Sequence, residues 1–168
     1  MKRRSGEVEK RKKDTDSQSF PTLARHSHYS ESNPQPPTPN THLVRVRYAE
    51  TDQAGMAHHS SYLPWFEEGR IELLRQLGKP YQEFEEEGIH FPVREVFCRY
   101  WAPAFFDDVL IVETSIEEVG GASVRFGYRI TRQADESLIA EGLTLHACVD
   151  DNGKVKRLPL EIRKMLRG

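Results

Sequence analysis

Long apolar runs are missing from this 168-residue chain. None approaches the roughly 18 residues that a membrane span takes, and the N-terminus lacks the apolar segment of a secretory leader. Cysteine is scarce. The only two, Cys98 and Cys148, fall in strand-like runs without CxxC spacing and read as reduced core thiols of a cytoplasmic protein. There is no GxSxG elbow, no P-loop and no dinucleotide fingerprint, which removes the commonest signatures of serine hydrolases, nucleotide-triphosphate enzymes and NAD enzymes. A basic body is missing too. Residues 1 to 40 hold eight Lys or Arg and five Asp or Glu, leaving sixteen basic and twenty-one acidic residues in 41 to 168. A mildly acidic body argues against nucleic acid as the main partner.

What is present divides the chain in two. Residues 1 to 40 hold five of the ten prolines, seven basic residues in the first thirteen positions and few large apolar side chains. Such a composition cannot bury enough surface to offset its ordering entropy, so we expect a disordered basic, Pro-rich tail. The folded domain is expected over 41 to 168. HLVRVRYA, residues 42 to 49, alternates as a half-buried strand does. Tyr62, Phe66, Gly69, Leu73 and Leu77 then recur on one face of a helix about 17 residues long, with Ser60 or Ser61 as its expected N-cap and Gly78 with Pro80 as its stop. A glycine on the buried face of a helix costs about 1 kcal/mol against alanine, which implies that something large packs closely at Gly69. YQEFEEEG follows as a helical turn or two. From residue 89, five runs rich in Val, Ile, Thr and aromatics read as strands, ending with KVKRLP (154 to 159), before a short terminal helix, PLEIRKMLR. One amphipathic helix and one long antiparallel sheet make an α+β domain whose sheet covers the helix.

The chemistry concentrates in AETDQAGMAHHSSY, residues 49 to 62. Asp52 precedes the helix start, where amides without helical partners and the positive end of the dipole can polarise a carbonyl. A carboxylate beside them can attack that carbonyl or deprotonate water. An Asp in such a turn is also an ordinary structural choice. Adjacent His58 and His59 point different ways, so at most one is expected to face a site, and neither has the helical His or nearby Cys partner of a zinc site. Glu67, Glu68 and Arg70 suit the helix surface, and a lone strand histidine such as His146 is usually a packed residue. The aromatics Phe97, Tyr100, Trp101, Phe105 and Phe106 read first as sheet packing.

VRYAETDQAGMAHHSSYLPWFEEGRIELLRQLG resembles the signature region of the hotdog-fold acyl-CoA thioesterases of the 4-hydroxybenzoyl-CoA thioesterase and YbgC-like type. It matches at Arg47, Tyr48, Glu50, Thr51, Asp52, Gly55, His59, Tyr62, Glu67 and Arg70, and the likeness continues through RYWAPAFFDDVLIVET and GKVKRLPLEIRKML. The resemblance implies a long antiparallel sheet wrapped around a central helix and assembly as a homodimer or homotetramer, with active sites at a subunit interface. It implies hydrolysis of an acyl-CoA thioester, with no metal or redox cofactor. Asp52 would be nucleophile or general base, and His59, near the thioester, would assist catalysis by positioning the water or the acyl group. Gly55, Met56, Ala57, His58, Ser60 and Tyr62 would bind substrate, with amides around Ala57 to Ser60 polarising the carbonyl. His58 and Met56-Ala57 depart from the common pattern and bear on acyl preference. A dehydratase acting on hydroxyacyl thioesters, built on a histidine, and a non-catalytic acyl-thioester binder are the alternative readings.

Overall fold

The computed structural model describes residues 37 to 168. All but the last four residues of the expected tail lie outside the described residues, and the sheet already begins at Asn40, which pairs with Thr114. The elements run β1 (Asn40–Arg45), α1 (Tyr62–Gln76), α2 (Tyr81–Glu86), β2 (Val93–Tyr100), β3 (Val109–Val119), β4 (Ser123–Arg132), β5 (Leu138–Ala147) and α3 (Leu160–Met165), with 3-10 turns at Tyr48–Glu50 and His59–Ser61. The five strands form one antiparallel sheet in the order β1-β3-β4-β5-β2. Two tight connections hold β3, β4 and β5 side by side. The fourth neighbour, β2, comes from earlier in the chain and closes the far edge.

α1 lies against this sheet through Tyr62, Trp65, Phe66, Gly69, Arg70, Leu73 and Leu74, all buried. That stripe includes four of the five positions read from the sequence and widens it by Trp65, Arg70 and Leu74, as the 3.6-residue period requires. Leu77 is the helix C-cap and packs at the core's margin. Gly78 follows in the left-handed region at φ 92°, which ends the helix. Close approach at Gly69 has a direct cause: a Cβ there would overlap the Thr114 hydroxyl and stand 3.0 Å from Val112 Cγ1, both on β3. Gly142 on β5 does the same for the aromatic core, because a Cβ would come within 2.5 Å of the Phe66 ring and 2.9 Å of the Phe97 carbonyl. The Phe66 ring instead stacks on Tyr128 at 4.3 Å.

Three expectations change. The first strand stops at Arg45, since Glu50 accepts from the Arg47 amide and draws residues 48 to 50 into a 3-10 turn. KVKRLP is no strand. Only Val155 bridges to Val149, and Lys154, Val155 and Arg157 are exposed with Lys156 half-buried, so before Leu158 it has no apolar face to hold it in the sheet. Neither serine caps α1 through its side chain. His58 does the capping one turn earlier, its Nδ1 accepting from the Ser60 amide at 3.3 Å. Among the described residues no helix is long and apolar enough to cross a membrane.

Candidate active site

Asp52 stands on a turn made by its own neighbours. Its carboxylate Oδ1 accepts from the Ala54 amide at 2.8 Å, its amide donates to the Met56 carbonyl at 2.9 Å, and Gly55 takes the left-handed φ of 76° that the reversal needs. Thr51 and Ala57 bridge across the base of the turn. Behind it, Glu50 is the anchor. Its carboxylate, only 9% exposed, accepts from the Arg47 amide and guanidinium, both at 2.8 Å, and from the Trp65 indole of α1 at 3.1 Å. Burial alone would push this carboxyl up, but the Arg47 bonds and the Trp65 bond together hold it below the usual carboxylate range. The Glu50 carbonyl also receives the His58 amide at 2.7 Å and the Ser61 hydroxyl at 3.0 Å, which ties the turn to the helix entry.

Asp52, Met56 and Ala57 from this turn, His59 and Tyr62 from the helix entry, and Tyr100 and Trp101 from the end of β2 line one open depression of about 360 Å³, closed below by Ala102 and Pro103. The depression thus gathers Asp52, His59, Met56, Ala57 and Tyr62 from the residues singled out by sequence. His58 does not line it, and its Nδ1 is engaged by Ser60, 2.7 Å from the hydroxyl. The two histidine rings do not splay apart, however; their centroids lie 4.0 Å apart with the planes tilted by 39°. Tyr100 donates its hydroxyl to the His59 carbonyl at 3.0 Å, and its ring meets Tyr62 edge-on. Burial pushes the Tyr62 and Tyr100 hydroxyls up, so both remain protonated donors.

The amides at the helix entry are more committed than the sequence suggested. The Ala57 amide donates to the Ala104 carbonyl at 2.8 Å, His58 to Glu50, and Ser60 to the His58 ring. Of residues 57 to 60, only the His59 amide has no acceptor among the described residues. Gly55 and Ser60 shape the turn and the cap and do not line the depression. Glu68 pairs with His42 at 3.2 Å on the exposed surface. Glu67 and Arg70 face a separate cavity. Tyr100 and Trp101, which read from the sequence as pocket aromatics only second to sheet packing, do line the depression, where the β2–β5 register places the end of β2. Phe106 packs on Tyr48, 5.8 Å between centroids. Among the described residues, no three His, Cys, Asp or Glu side chains converge as a metal ion would require.

The thioesterase-like superfamily model matches residues 46 to 166. This chain belongs to that family. Its sheet and covering helix are the hotdog fold. It is 37% identical over 121 residues to the putative acyl-CoA thioesterase YneP of Bacillus subtilis, covering 72% of this chain and 85% of that protein. It is 38% identical over 120 residues to the acyl-CoA thioester hydrolase YbgC of Escherichia coli, covering 71% and 89%. Among solved structures, the DHNA-CoA thioesterase of Staphylococcus aureus superimposes with a TM-score of 0.70 at 30% identity, over 72% of this chain and 81% of that one.

Proposed function

We propose that this chain is an acyl-CoA thioesterase that splits R-CO-S-CoA into a carboxylic acid and free CoA, with Asp52 as the catalytic carboxylate. The observation that carries the reading is the placement of Asp52 in the same depression as the helix entry whose one uncommitted amide belongs to His59. In one form Asp52 takes a proton from water and the hydroxide adds to the thioester carbonyl. In the other, its oxygen adds directly and a mixed anhydride is later hydrolysed. Either way the carbonyl oxygen becomes an oxyanion, for which the His59 amide is the available donor. Collapse breaks the C–S bond, and the CoA thiolate leaves and is protonated. The His59 ring and the Tyr62 hydroxyl border the acyl group. No metal or redox cofactor takes part in this scheme.

The site is half of a larger one. β2 is an edge strand that carries Val93, Val96 and Tyr100 exposed along its length, with Trp101 just beyond. An open apolar edge is a template for pairing with another strand. Antiparallel pairing of β2 with β2 of a second copy would set the Tyr100 end of one strand, beside Asp52, against the Val93 end of the other. A homodimer, or a tetramer built from it, follows from this reading.

The test is thiol release from a panel of aliphatic and aromatic acyl-CoAs, with wild type beside Asp52→Ala and His59→Ala. We expect wild-type turnover and a loss of at least about a hundredfold in Asp52→Ala. Turnover that survives Asp52→Ala but not His59→Ala would move the chemistry to the histidine, as a dehydratase would have it. Tight CoA-ester binding with no thiol released by any protein would make the chain a binder. Sedimentation of wild type against Val96→Asp checks the pairing, with the dimer expected to dissociate in the variant.

A further inference from the structure

Two sets of polar side chains are packed between elements outside the Asp52 depression. One closes on itself. His146, which burial pushes down to about 4, lies 2.8 Å from the Phe91 carbonyl and 2.8 Å from the Thr144 hydroxyl, itself 2.8 Å from that of Tyr128. The other set reaches the site, and it converges on Arg132 at the end of β4. This side chain is only 17% exposed. It donates through Nε to Asp108 at 2.9 Å and through Nη2 to the Pro103 carbonyl at 2.6 Å. Through Nη1 it donates to Asp135 at 3.0 Å and Ser137 at 3.1 Å. Nearly every N–H of the guanidinium fork is therefore committed.

The bonds to Asp108 and Pro103 hold the loop between β2 and β3, residues 101 to 108. Burial secures that loop fully only at Ala104; Trp101, Pro103, Phe105, Phe106 and Asp107 are all exposed. Backbone bonds tie its two ends, the Trp101 amide to Ile139 at 2.8 Å and the Asp107 amide to Val46 at 2.9 Å. The Asp52 turn is seated on its middle. The Ala104 carbonyl takes the Ala57 amide at 2.8 Å, and Phe105 bridges to Met56, whose carbonyl takes the Asp52 amide. On the sheet side, Arg132 holds that middle in two ways. It bonds the Pro103 carbonyl directly, and it fixes Asp108, whose Oδ2 also takes the Phe105 amide at 2.9 Å.

The geometry points to Arg132 as a positioning residue for the reaction at Asp52. It touches no reacting atom. It keeps Pro103 to Phe105 in place, so the Ala57 amide stays on the Ala104 carbonyl and the Asp52 turn keeps its setting against the free His59 amide. A displacement of about 1 Å at a reacting group costs on the order of a hundredfold in rate. The catalytic consequence rests on the thioesterase reading; the hold on the turn does not. Lysine would carry the same charge on a single point and would not reproduce the fork that serves Asp108 and Pro103 together.

The experiment measures kcat and KM on an acyl-CoA that wild type turns over, and amide hydrogen exchange at Ala57, for wild type, Arg132→Lys, Asp108→Ala and Asp135→Ala. The last is the control, since it removes a partner of Arg132 on the β4–β5 turn and leaves both bonds to the loop. We expect Arg132→Lys and Asp108→Ala each to lower kcat by about tenfold or more with KM changed far less. Exchange at Ala57 should rise by about tenfold or more beyond any change in the amides of the β3–β4 ladder. Asp135→Ala should lower the thermal midpoint and leave kcat and Ala57 as they are. The double variant Arg132→Lys/Asp108→Ala should lose little more than either single one, because the two act as a unit. Exchange at Ala57 that merely follows the ladder overturns the proposal, because Arg132 would then brace the fold and nothing more. Selective exchange at Ala57 with kcat unchanged also overturns it. If wild type hydrolyses no ester, the thioesterase reading fails by itself, and exchange at Ala57 decides whether Arg132 holds the turn. If Arg132→Lys fails to fold, Asp108→Ala decides on the same readouts.

Discussion

The turn that carries Asp52 and the cavity that holds Arg70 flank the same helix and are built from opposite materials. Asp52 is positioned by bonds to residues within four places of it in the chain, from Ala54, Gly55 and Met56. Arg70, Tyr128, Thr144 and His146 meet only because α1, β4 and β5 are packed in one register. The first is solvent-exposed and can be altered without disturbing the core. The second is part of the core, so its chemistry and the stability of the domain are coupled. A change at Asp52 should therefore leave folding intact, and a change at Arg70 should not.

The sharpest way to break that contrast is Asp52→Ala. It should lower kcat by about a hundredfold or more while leaving the thermal midpoint nearly unmoved, since the lost bond to Ala54 is exposed. A large fall in the midpoint would show the turn to be structural. Next is acid stability. His146 is depressed to about 4 from 6.5, so the unfolded chain takes up its proton first. Stability is then unchanged above about pH 6.5 and falls as the pH drops from there to about 4, by on the order of 3 kcal/mol. Urea midpoints across that range, compared with those of a His146→Phe variant, should show the slope in wild type and a flatter one in the variant. Gly142→Ala should cost about 1–3 kcal/mol by driving a methyl into the Phe66 ring, read as a lowered melting temperature. Activity should fall with it only through the unfolded fraction. The smallest effect is expected from His58→Ala, about 0.5–1 kcal/mol for the lost cap to Ser60, with kcat changed far less than by His59→Ala.

The same contrast governs what could be read from the chain. The Asp52 turn with Gly55, the histidine pair and the α1 face are local patterns that spacing marks, while only the family resemblance singled out His59 over His58 and raised Asp52 above an ordinary turn residue. Gly69 announced a close neighbour, although only the register of β3 shows it to be Thr114 and Val112. The capping role of His58 was hidden because a serine in the neighbouring position is the commoner cap. KVKRLP carries strand-forming residues but no buried face, and a propensity without burial makes no strand. Trp101 joining the Asp52 depression, and Tyr128 reaching Thr144 across from β4 to β5, depend on partners distant in the chain or on different strands, which no local window contains.

The strand order has a consequence for how the chain is made. β1 pairs only with β3, so Asn40 to Arg45 must wait for residues 109 to 114 to be synthesised. α1 emerges earlier, with Trp65, Phe66, Leu73 and Leu74 uncovered, because every strand that will lie over it except β1 follows it in the chain. At ribosomal speed the gap between the end of α1 and the start of β3 is roughly 2–7 s. During those seconds the nascent helix is a greasy handle, and the growing polypeptide is a client for whatever shields such surfaces at the tunnel exit.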